Sequence, residues 1–419
     1  MLDHLKETFH SLKPKHENQL QVAVSTPNQG QPKSNKEPDP QLIAITQKCI
    51  DVFLASSQSN GEIGGLGYWQ TANGYTAIAL HDFYSGSDKN IQLLTQRVAT
   101  VARHHPGLIN EFNDDTLWWG NCLLDVYQLI FRPELVEMAV SLHRHVGKYV
   151  VKRGAHCVKG MDMGGAVLWN SKPGGDQVNA ITTGLYAELS ARLAAVVQDS
   201  PRGQMEWLRG AEISLDWVFR CRYRAHEALV LDTIKLNSGE CLDWTFTYNT
   251  GQAISACVAL FEAMQPKVGQ NEGNYKGLKS AEQYLLLACE MASKGMHRSG
   301  WVSQDGVLTE HGAYGKGKHD PWKNNDAVGF KSVLIRALAK LYRVLGECGR
   351  ETQLKWEIGR FVERQFEALQ DKDTNGKGQY GPWWDGPMEC PTSHSQVAVL
   401  DVMAAVHLVR GEAVERGAG

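Results

Sequence analysis

Apolar residues recur at helical spacing through most of the chain beyond Gln41. In the segment from Phe330 to Leu341 they fall at positions i, i+3, i+4, i+7, i+8 and i+11, so they share one face of a helix. Almost no segment shows the alternation of apolar and polar residues that is typical of a strand. The pattern predicts twelve helices, over 41–57, 72–85, 89–104, 115–131, 133–149, 178–196, 203–222, 250–264, 275–294, 326–344, 351–369 and 393–409.

Twelve helices without supporting strands must bury their apolar faces against one another. A solenoid would show a fixed sequence period, but the connections between these helices are unequal and no repeat is present. We therefore predict an all-α fold, a closed barrel of six helical hairpins in which inner and outer helices alternate along the sequence. The longest connections, 150–178, 222–250 and 296–325, are where we expect the functional residues.

The two ends of the chain differ in composition from its centre. Residues 1–40 are rich in Gln, Pro, Ser, Lys and Asn, and such a segment buries too little apolar surface to offset its ordering entropy. It is predicted to be a mobile polar arm, although a strap lying across the domain is the alternative. Residues 41–410 form the predicted helical domain, and 411–419 are predicted to be a frayed C-terminus.

The composition is that of a globular protein without a strong electrostatic field. Of the 419 residues, 42% are hydrophobic and 21% are charged, and the net charge is −3. We therefore expect a carbohydrate or small-molecule substrate, with no nucleic-acid partner and no membrane partner. No apolar run approaches the length of a membrane span, and residues 1–13 are too polar for the centre of a signal peptide. A cytoplasmic location is expected, or a secreted one if a signal has been trimmed.

Motifs for metals, cofactors and disulfides are absent from the sequence. The nine cysteines are scattered and include no C-x-x-C pair, which argues against a zinc site or a disulfide framework. The sequence contains no H-E-x-x-H, no Walker loop and no G-x-S-x-G. We therefore expect metal-independent activity without a cofactor.

Tryptophan is frequent in the predicted connections. Of the 12 tryptophans, nine fall in connections or at helix starts. Aromatic faces beside Asn, Asp and Gln suit a sugar, which has C–H faces and a hydroxyl rim. The alternative is that the tryptophans only fill gaps between loops. The nine are Trp69, Trp118, Trp119, Trp169, Trp244, Trp301, Trp322, Trp383 and Trp384.

The segment from Glu111 to Gly120 combines consecutive carboxyl groups, Asp114 and Asp115, with two tryptophans in the next turn. One interpretation is structural, because Asn113 would cap a helix and acidic residues in a first turn complement the helix dipole. The other is catalytic. Glycoside hydrolysis needs two carboxyl groups about one anomeric carbon, and neighbours at a helix start favour the short separation of retaining enzymes.

Five stretches, in the same order, resemble glycoside hydrolase family 76, the endo-α-1,6-mannanases. Phe112–Trp119 resembles the adjacent-aspartate motif of this family. The other four are Gly67–Gln70; Gly164-Gly165 through Trp169-Asn170, with Asn179–Ile181 and Gly184-Leu185; Thr247–Gly251; and Phe330-Lys331 through Arg336. The resemblance covers about residues 41 to 410.

The resemblance implies an (α/α)6 barrel and retaining cleavage of α-1,6-linked mannose, by hydrolysis or by transfer. It implies Asp114 as nucleophile and Asp115 as acid/base. The substrate-binding residues, chosen by loop position and by the order of the motifs, are expected to be Trp69, Asn113, Trp118, Trp119, Trp169, Asn170, Asn179, Trp244, Tyr248, Asn249, Trp384 and Asp385.

Other function classes remain open from the residues. A helical terpene cyclase would need a D-D-x-x-D or D-x-D-D motif, and the sequence around Asp114 has neither. Alternatively, the barrel is retained for another sugar-directed activity, for small-molecule modification or cyclisation, or for non-catalytic glycan binding. The absence of a recognisable signal favours such a change of role, whereas the presence of both aspartates opposes it.

Overall fold

The helix starts can be read from the sequence. In the computed structural model the first described helix begins at Pro40, where the missing N–H of proline costs nothing, and the side chain of Asp39 accepts the N–H of Gln41 at 2.9 Å. The structure describes residues 39–197, 200–265, 277–320, 322–323, 325–350 and 352–416. Within them lie the helices α1 (Pro40–Ala55), α2 (Tyr68–Ser85), α3 (Ile91–His104), α4 (Asn113–Ile130), α5 (Pro133–Gly147), α6 (Ala180–Val196), α7 (Pro201–Trp217), α8 (Thr247–Ala263), α9 (Ala281–Met296), α10 (Phe330–Glu347), α11 (Gln353–Lys372) and α12 (Ser393–Arg416).

The twelve predicted helices are thus confirmed, with differences at their ends. The last helix was predicted to end at 409 but continues to Arg416, which takes in most of the segment predicted to be frayed. Residues 417–419 lie outside the described residues, as do residues 1–38 of the predicted arm. Among the helices of the described residues, none combines the length and the hydropathy of a membrane-spanning segment.

The helices fall into two classes that alternate along the chain. The even-numbered helices α2, α4, α6, α8, α10 and α12 are buried on nearly all sides, whereas the odd-numbered ones bury one face. A helix that is apolar all round belongs in a core, and an amphipathic one covers it. This agrees with the predicted alternation of inner and outer helices.

Within the described residues, seven short strands lie in the long connections, where the sequence analysis predicted none. Each has two or three residues, too few to give an alternating pattern. The largest described sheet pairs three strands in the order β3, β6, β7, with Asn179 opposite Thr233. The strands are β1 (Cys157–Val158), β2 (Met161–Asp162), β3 (Gln177–Asn179), β4 (Tyr223–Arg224), β5 (Leu229–Val230), β6 (Thr233–Lys235) and β7 (Cys241–Leu242).

The described residues divide into two compact units. Unit 1 contains Val98–Thr245 and Gln252–Met291, whereas unit 2 contains the residues up to Arg97, Phe246–Gly251, and the chain from Ala292 onward. In unit 1, α4 packs against α5 and α6, and α6 packs against α7.

In unit 2, α12 packs against α1, α2, α10 and α11. Arg336 of α10 ties three of these helices together. Its Nε and Nη2 donate to the two carboxylate oxygens of Asp401 on α12, both at 2.8 Å, and its Nη1 donates to Asn73 Oδ1 on α2 at 2.7 Å. A bidentate pair of this kind fixes the orientation of the side chains as well as compensating their charges.

Gly251 allows α8 and α10 to approach at backbone distance. A Cβ atom on Gly251 would lie 2.8 Å from Leu334 Cα and 3.0 Å from the Val333 carbonyl oxygen. We expect Gly251→Ala to lower the free energy of unfolding by about 1–3 kcal/mol, because the backbone must shift to accept the methyl group. Urea unfolding measures the loss. Gly300→Ala is the matched control, since nothing lies within 4 Å of that position, and equal stabilities of the two variants would contradict the prediction.

Candidate active site

The two consecutive aspartates lie in the first turn of α4. Phe112 precedes the helix with an extended backbone, and Asn113 is its first residue. Asp114 and Asp115 are therefore among the residues whose N–H groups have no partner within the helix. Asp114 Oδ1 accepts the N–H of Asp115 at 3.0 Å, and both aspartate side chains are half-buried.

Asn113 does not cap the helix, contrary to the structural interpretation of this segment. The Asn113 side chain is fully buried, and its Nδ2 donates to the carbonyl oxygen of Leu168 at 2.8 Å. Its backbone N–H donates to the carbonyl oxygen of Trp169, also at 2.8 Å. These two bonds join the start of α4 to the 168–169 segment, so the position of the aspartates depends on that segment.

Trp169 contacts the aspartate pair directly. Its Nε1–H donates to Asp114 Oδ2 at 3.0 Å, and its ring lies 4.7 Å from that of Phe112. Each oxygen of Asp114 thus accepts one N–H bond, from Asp115 or from Trp169. The carboxylate plane is held from two sides, and each oxygen keeps a lone pair for a further interaction.

Burial raises the pKa of Asp114 to about 7, because the charged form loses its hydration. The N–H bonds from Asp115 and Trp169 act in the opposite direction, since they stabilise the carboxylate. The negative charge of Asp232 raises the pKa further. Asp114 therefore changes its charge near neutral pH, as groups at catalytic sites commonly do.

Asp232 is a site residue that the sequence analysis missed. It is buried between β5 and β6, and its carbonyl oxygen accepts the N–H of Ala180 at 3.2 Å. The available signal was a single carboxyl group in the apolar run from Ala228 to Ile234. A buried acidic residue in such a run needs a partner or a function.

The other site residues predicted in unit 1 occupy different surroundings. Asn170 Oδ1 accepts the N–H of Lys172 within its own turn, at 3.2 Å, and Asn179 caps α6 by accepting the N–H of Thr182 at 3.1 Å. Trp118 is 6% exposed, Trp119 is fully buried and Trp244 is 53% exposed. Of the tryptophans predicted in this unit, Trp244 has the ring most open to solvent.

In unit 2, two predicted site residues meet at one ring that was not predicted. Tyr248 stacks on Phe330 with the centroids 4.2 Å apart and an interplanar angle of 6°. Phe246 lies 5.1 Å from the same ring and Trp69 lies 6.3 Å from it. This aromatic cluster of Trp69, Phe246, Tyr248 and Phe330 joins three of the motifs identified in the sequence.

Trp384 and Asp385, also predicted as binding residues, each lie beside a lysine side chain in unit 2. The Trp384 ring is fully buried, with Lys331 Nζ 4.9 Å from its centroid, so it offers no exposed face to a sugar. Asp385 pairs with Lys316 at 2.9 Å. Lys331 Nζ also donates to the Pro382 carbonyl oxygen at 2.8 Å, and burial lowers the pKa of Lys331 to about 8.

A buried carboxyl group fixes the start of α8. Glu310 is 1% exposed and accepts both the N–H of Thr247, at 3.0 Å, and the Thr247 hydroxyl. Burial raises the pKa of Glu310 to about 7. Thr247 precedes Tyr248 and Asn249, and Asn249 is buried, so this bond helps to position the Thr247–Gly251 motif. The sequence analysis missed Glu310, which is distant in the chain from Thr247.

Among the residues that the structure describes, no group of three or more His, Cys, Asp and Glu side chains could hold a metal ion.

The sequence model of glycosyl hydrolase family 76 matches residues 44–415. No curated protein matches the sequence. Among solved structures, the GH76A α-1,6-mannanase of Salegentibacter sp. HEL1_6 is 21% identical, with 88% of this chain and 99% of that chain covered and a TM-score of 0.69. An inactive variant of that mannanase, with asparagine in place of two consecutive aspartates, is in complex with α-1,6-mannotriose; it is 20% identical over the same shares of the two chains, also with a TM-score of 0.69.

A further solved structure is also similar. Dfg5 from Chaetomium thermophilum, in complex with glucosamine, is 15% identical, with 90% of this chain and 92% of that chain covered and a TM-score of 0.68. These similarities show the fold, which is the (α/α)6 barrel of family 76 structures. The predicted fold class is confirmed.

Proposed function

Because this chain belongs to glycosyl hydrolase family 76, we propose that it is a retaining glycoside hydrolase or transglycosylase that acts on α-1,6-linked mannose. Membership supports glycoside hydrolase activity. Our proposal adds the substrate, the stereochemical course and the role of each aspartate. The observation that carries it is the carboxylate of Asp114, held by N–H donors on both oxygens at the start of α4.

In this mechanism Asp114 is the nucleophile. Its carboxylate attacks the anomeric carbon, and the bond from that carbon to the leaving oxygen breaks as a glycosyl ester forms on Asp114. The two N–H bonds orient the carboxylate for this attack without protonating it. Each bond also involves an element that the fold fixes: Asp115 within α4, and Trp169 in the segment that pairs with Asn113.

Asp115 is then the acid/base. It gives its proton to the departing glycosidic oxygen, and it later removes a proton from the water or sugar hydroxyl that cleaves the ester. Two adjacent carboxyl groups disfavour simultaneous ionisation, which helps one of them to remain protonated. Asparagine at two consecutive aspartates in the inactive Salegentibacter variant supports a role for both groups.

The Asp114–Trp169 hydrogen bond should affect how kcat/KM depends on pH. Nucleophilic attack needs the carboxylate, so kcat/KM should rise with pH through the apparent pKa of Asp114 in the free enzyme, about 7. Trp169→Phe keeps an aromatic ring but removes a bond that lowers this pKa. We expect the acidic limb of kcat/KM to move to higher pH, as measured with an aryl α-mannoside.

Asp232→Asn is the matched variant, because it removes a negative charge that raises the pKa of Asp114. Its acidic limb should move to lower pH, in the direction opposite to that of Trp169→Phe. If both variants moved the limb in the same direction, or if neither moved it, ionisation of Asp114 would not control the reaction.

The decisive experiment for the proposal is incubation with α-1,6-mannan and a panel of α-mannosides, with product analysis. Proton NMR of the first-formed sugar gives its anomeric configuration. We expect the first-formed products to be α-anomers. In water the products should be shorter mannosides, and when an acceptor sugar is added they should include longer ones. A first-formed β-anomer would contradict retention. Absence of cleavage and of transfer on the whole panel would contradict the proposed activity.

A further inference from the structure

A groove in unit 2 lies between the end of α1 and the start of α12. Its volume is about 340 Å³, and its lining includes neither Asp114 nor Asp115. Phe53 and Ile63 form its apolar floor, since each is 1% exposed. The floor is continuous with the core of the unit, because the Phe53 ring fills the space above Gly74. The groove thus has a fixed base.

Trp322 stands at the edge of this groove and is 69% exposed. Within the described part of the chain, the Trp322 ring stacks on no other aromatic side chain. Its backbone is nevertheless held, because its N–H donates to Asp320 Oδ1 at 3.0 Å. A large apolar ring kept in solvent beside a cavity is a typical feature of a binding surface.

The rim of the groove carries uncharged polar side chains. Each makes one hydrogen bond within the protein and can still make another with a ligand. Gln379 Oε1 accepts from Asn375 at 2.7 Å, which leaves its Nε2 as a donor. Thr392 Oγ1 accepts the N–H of Ser395, so its hydroxyl hydrogen is available to donate. Ser393 Oγ donates to the Gly64 carbonyl oxygen and can still accept.

Among the residues that the structure describes, none that lines the groove carries a charge: the remaining ones are Val52, Ser56, Pro391 and Gln396. A charged ligand would lack a partner here, whereas a neutral ligand with one apolar face and several hydroxyl groups matches the ring, the donors and the acceptor. A pyranose has this chemistry, because its C–H face packs on an aromatic ring and its hydroxyls bond with amides and hydroxyls.

We propose that this groove is a binding subsite for a neutral hexose unit of the glycan, with Trp322 as its stacking platform. The inference rests on the proposed function for the identity of the glycan. The described lining offers side chains that bind a sugar, and Asp114 and Asp115, which carry out the proposed cleavage, are not among them. Its contribution should therefore appear in the binding of long glycans.

The test compares Trp322→Ala with Trp356→Ala. Trp356 is 54% exposed on α11 and does not line the groove, so it controls for the loss of an exposed tryptophan. Affinity electrophoresis of the intact protein through gels containing α-1,6-mannan measures binding without requiring turnover. We expect Trp322→Ala to weaken binding by about 3- to 10-fold, Trp356→Ala to bind as the unsubstituted protein does, and Trp322→Phe to recover most of the affinity.

A second measurement is the ratio of the KM for mannan to the KM for an aryl α-mannoside. Trp322→Ala should raise this ratio, since an aryl α-mannoside has a single sugar unit, which is used at the aspartates and leaves none for the subsite. Equal retardation of Trp322→Ala and Trp356→Ala, or no retardation of the unsubstituted protein, would overturn the subsite. If mannan were bound through Trp322 but no mannoside were cleaved or transferred, the proposed activity would fail and the subsite would stand.

Discussion

Asp114→Asn is expected to abolish turnover on every glycoside. An amide oxygen is a poor nucleophile, so the covalent step is lost even for substrates with good leaving groups. We expect kcat to fall by at least about 10⁴-fold, the scale of loss seen when a covalent nucleophile is removed. Release of the aryl group from an activated aryl α-mannoside measures it.

The fold of this variant should survive, because an asparagine Oδ1 can still accept the N–H of Trp169 or of Asp115. Asp88→Asn provides the control, since Asp88 is an exposed aspartate between α2 and α3 and its substitution should leave kcat unchanged. An active Asp114→Asn enzyme would show that Asp114 is not the nucleophile. A loss of only about 1 kcal/mol of stability, without loss of activity, would mean that the carboxylate serves only the start of the helix.

The sequence could predict the helices because each depends on a local pattern. The buried faces of the outer helices α3 and α5 follow the 3.6-residue period within one segment, so the pattern is visible without knowing which helix packs against them. The short strands were not predictable in this way. β3 and β6 have three residues each and form because the intervening chain brings Gln177 opposite Lys235, and no local pattern encodes that return.

The residues of the candidate site differ in the same way, between those found from a local motif and those that depend on the fold. Asp114, Asp115 and Trp169 could be found from motifs, whereas Asp232 and Glu310 could not, because their significance depends on which groups they approach in three dimensions. The pKa of Asp114 depends first on burial and the pKa of Glu310 likewise, and burial is a property of the packed chain.

The tryptophans show that residue type alone does not identify a ring on which a sugar can stack. Trp384 and Trp322 both lie in predicted connections, yet the Trp384 ring is fully buried and Trp322 is 69% exposed. The ammonium group of Lys331 lies 4.9 Å from the centroid of the Trp384 ring within the core. The sequence analysis counted both among the nine tryptophans that suit a sugar, but it selected only Trp384 as a substrate-binding residue. Because only the Trp322 ring is exposed, Trp322 and not Trp384 can stack on a sugar.

Asp115→Asn is expected to behave differently from Asp114→Asn, because it removes the proton donor and keeps the nucleophile. On mannan, whose leaving group needs a proton, kcat should fall by about 10²–10⁴-fold. An activated aryl α-mannoside needs no protonation, so the glycosyl ester on Asp114 should still form and then accumulate, because no base activates water. A rapid burst of aryl release followed by slow turnover is the expected time course.

Azide distinguishes the acid/base role from a general loss of the site. This anion attacks the glycosyl ester without base assistance, so it should restore turnover of Asp115→Asn on the activated substrate and yield an α-mannosyl azide, with the configuration retained. Asp114→Asn, which forms no ester, should show no such rescue and serves as the matched control. If azide rescued Asp114→Asn and not Asp115→Asn, the two roles would be exchanged. If it rescued neither and the aryl substrate gave no burst, covalent catalysis by this pair would be excluded.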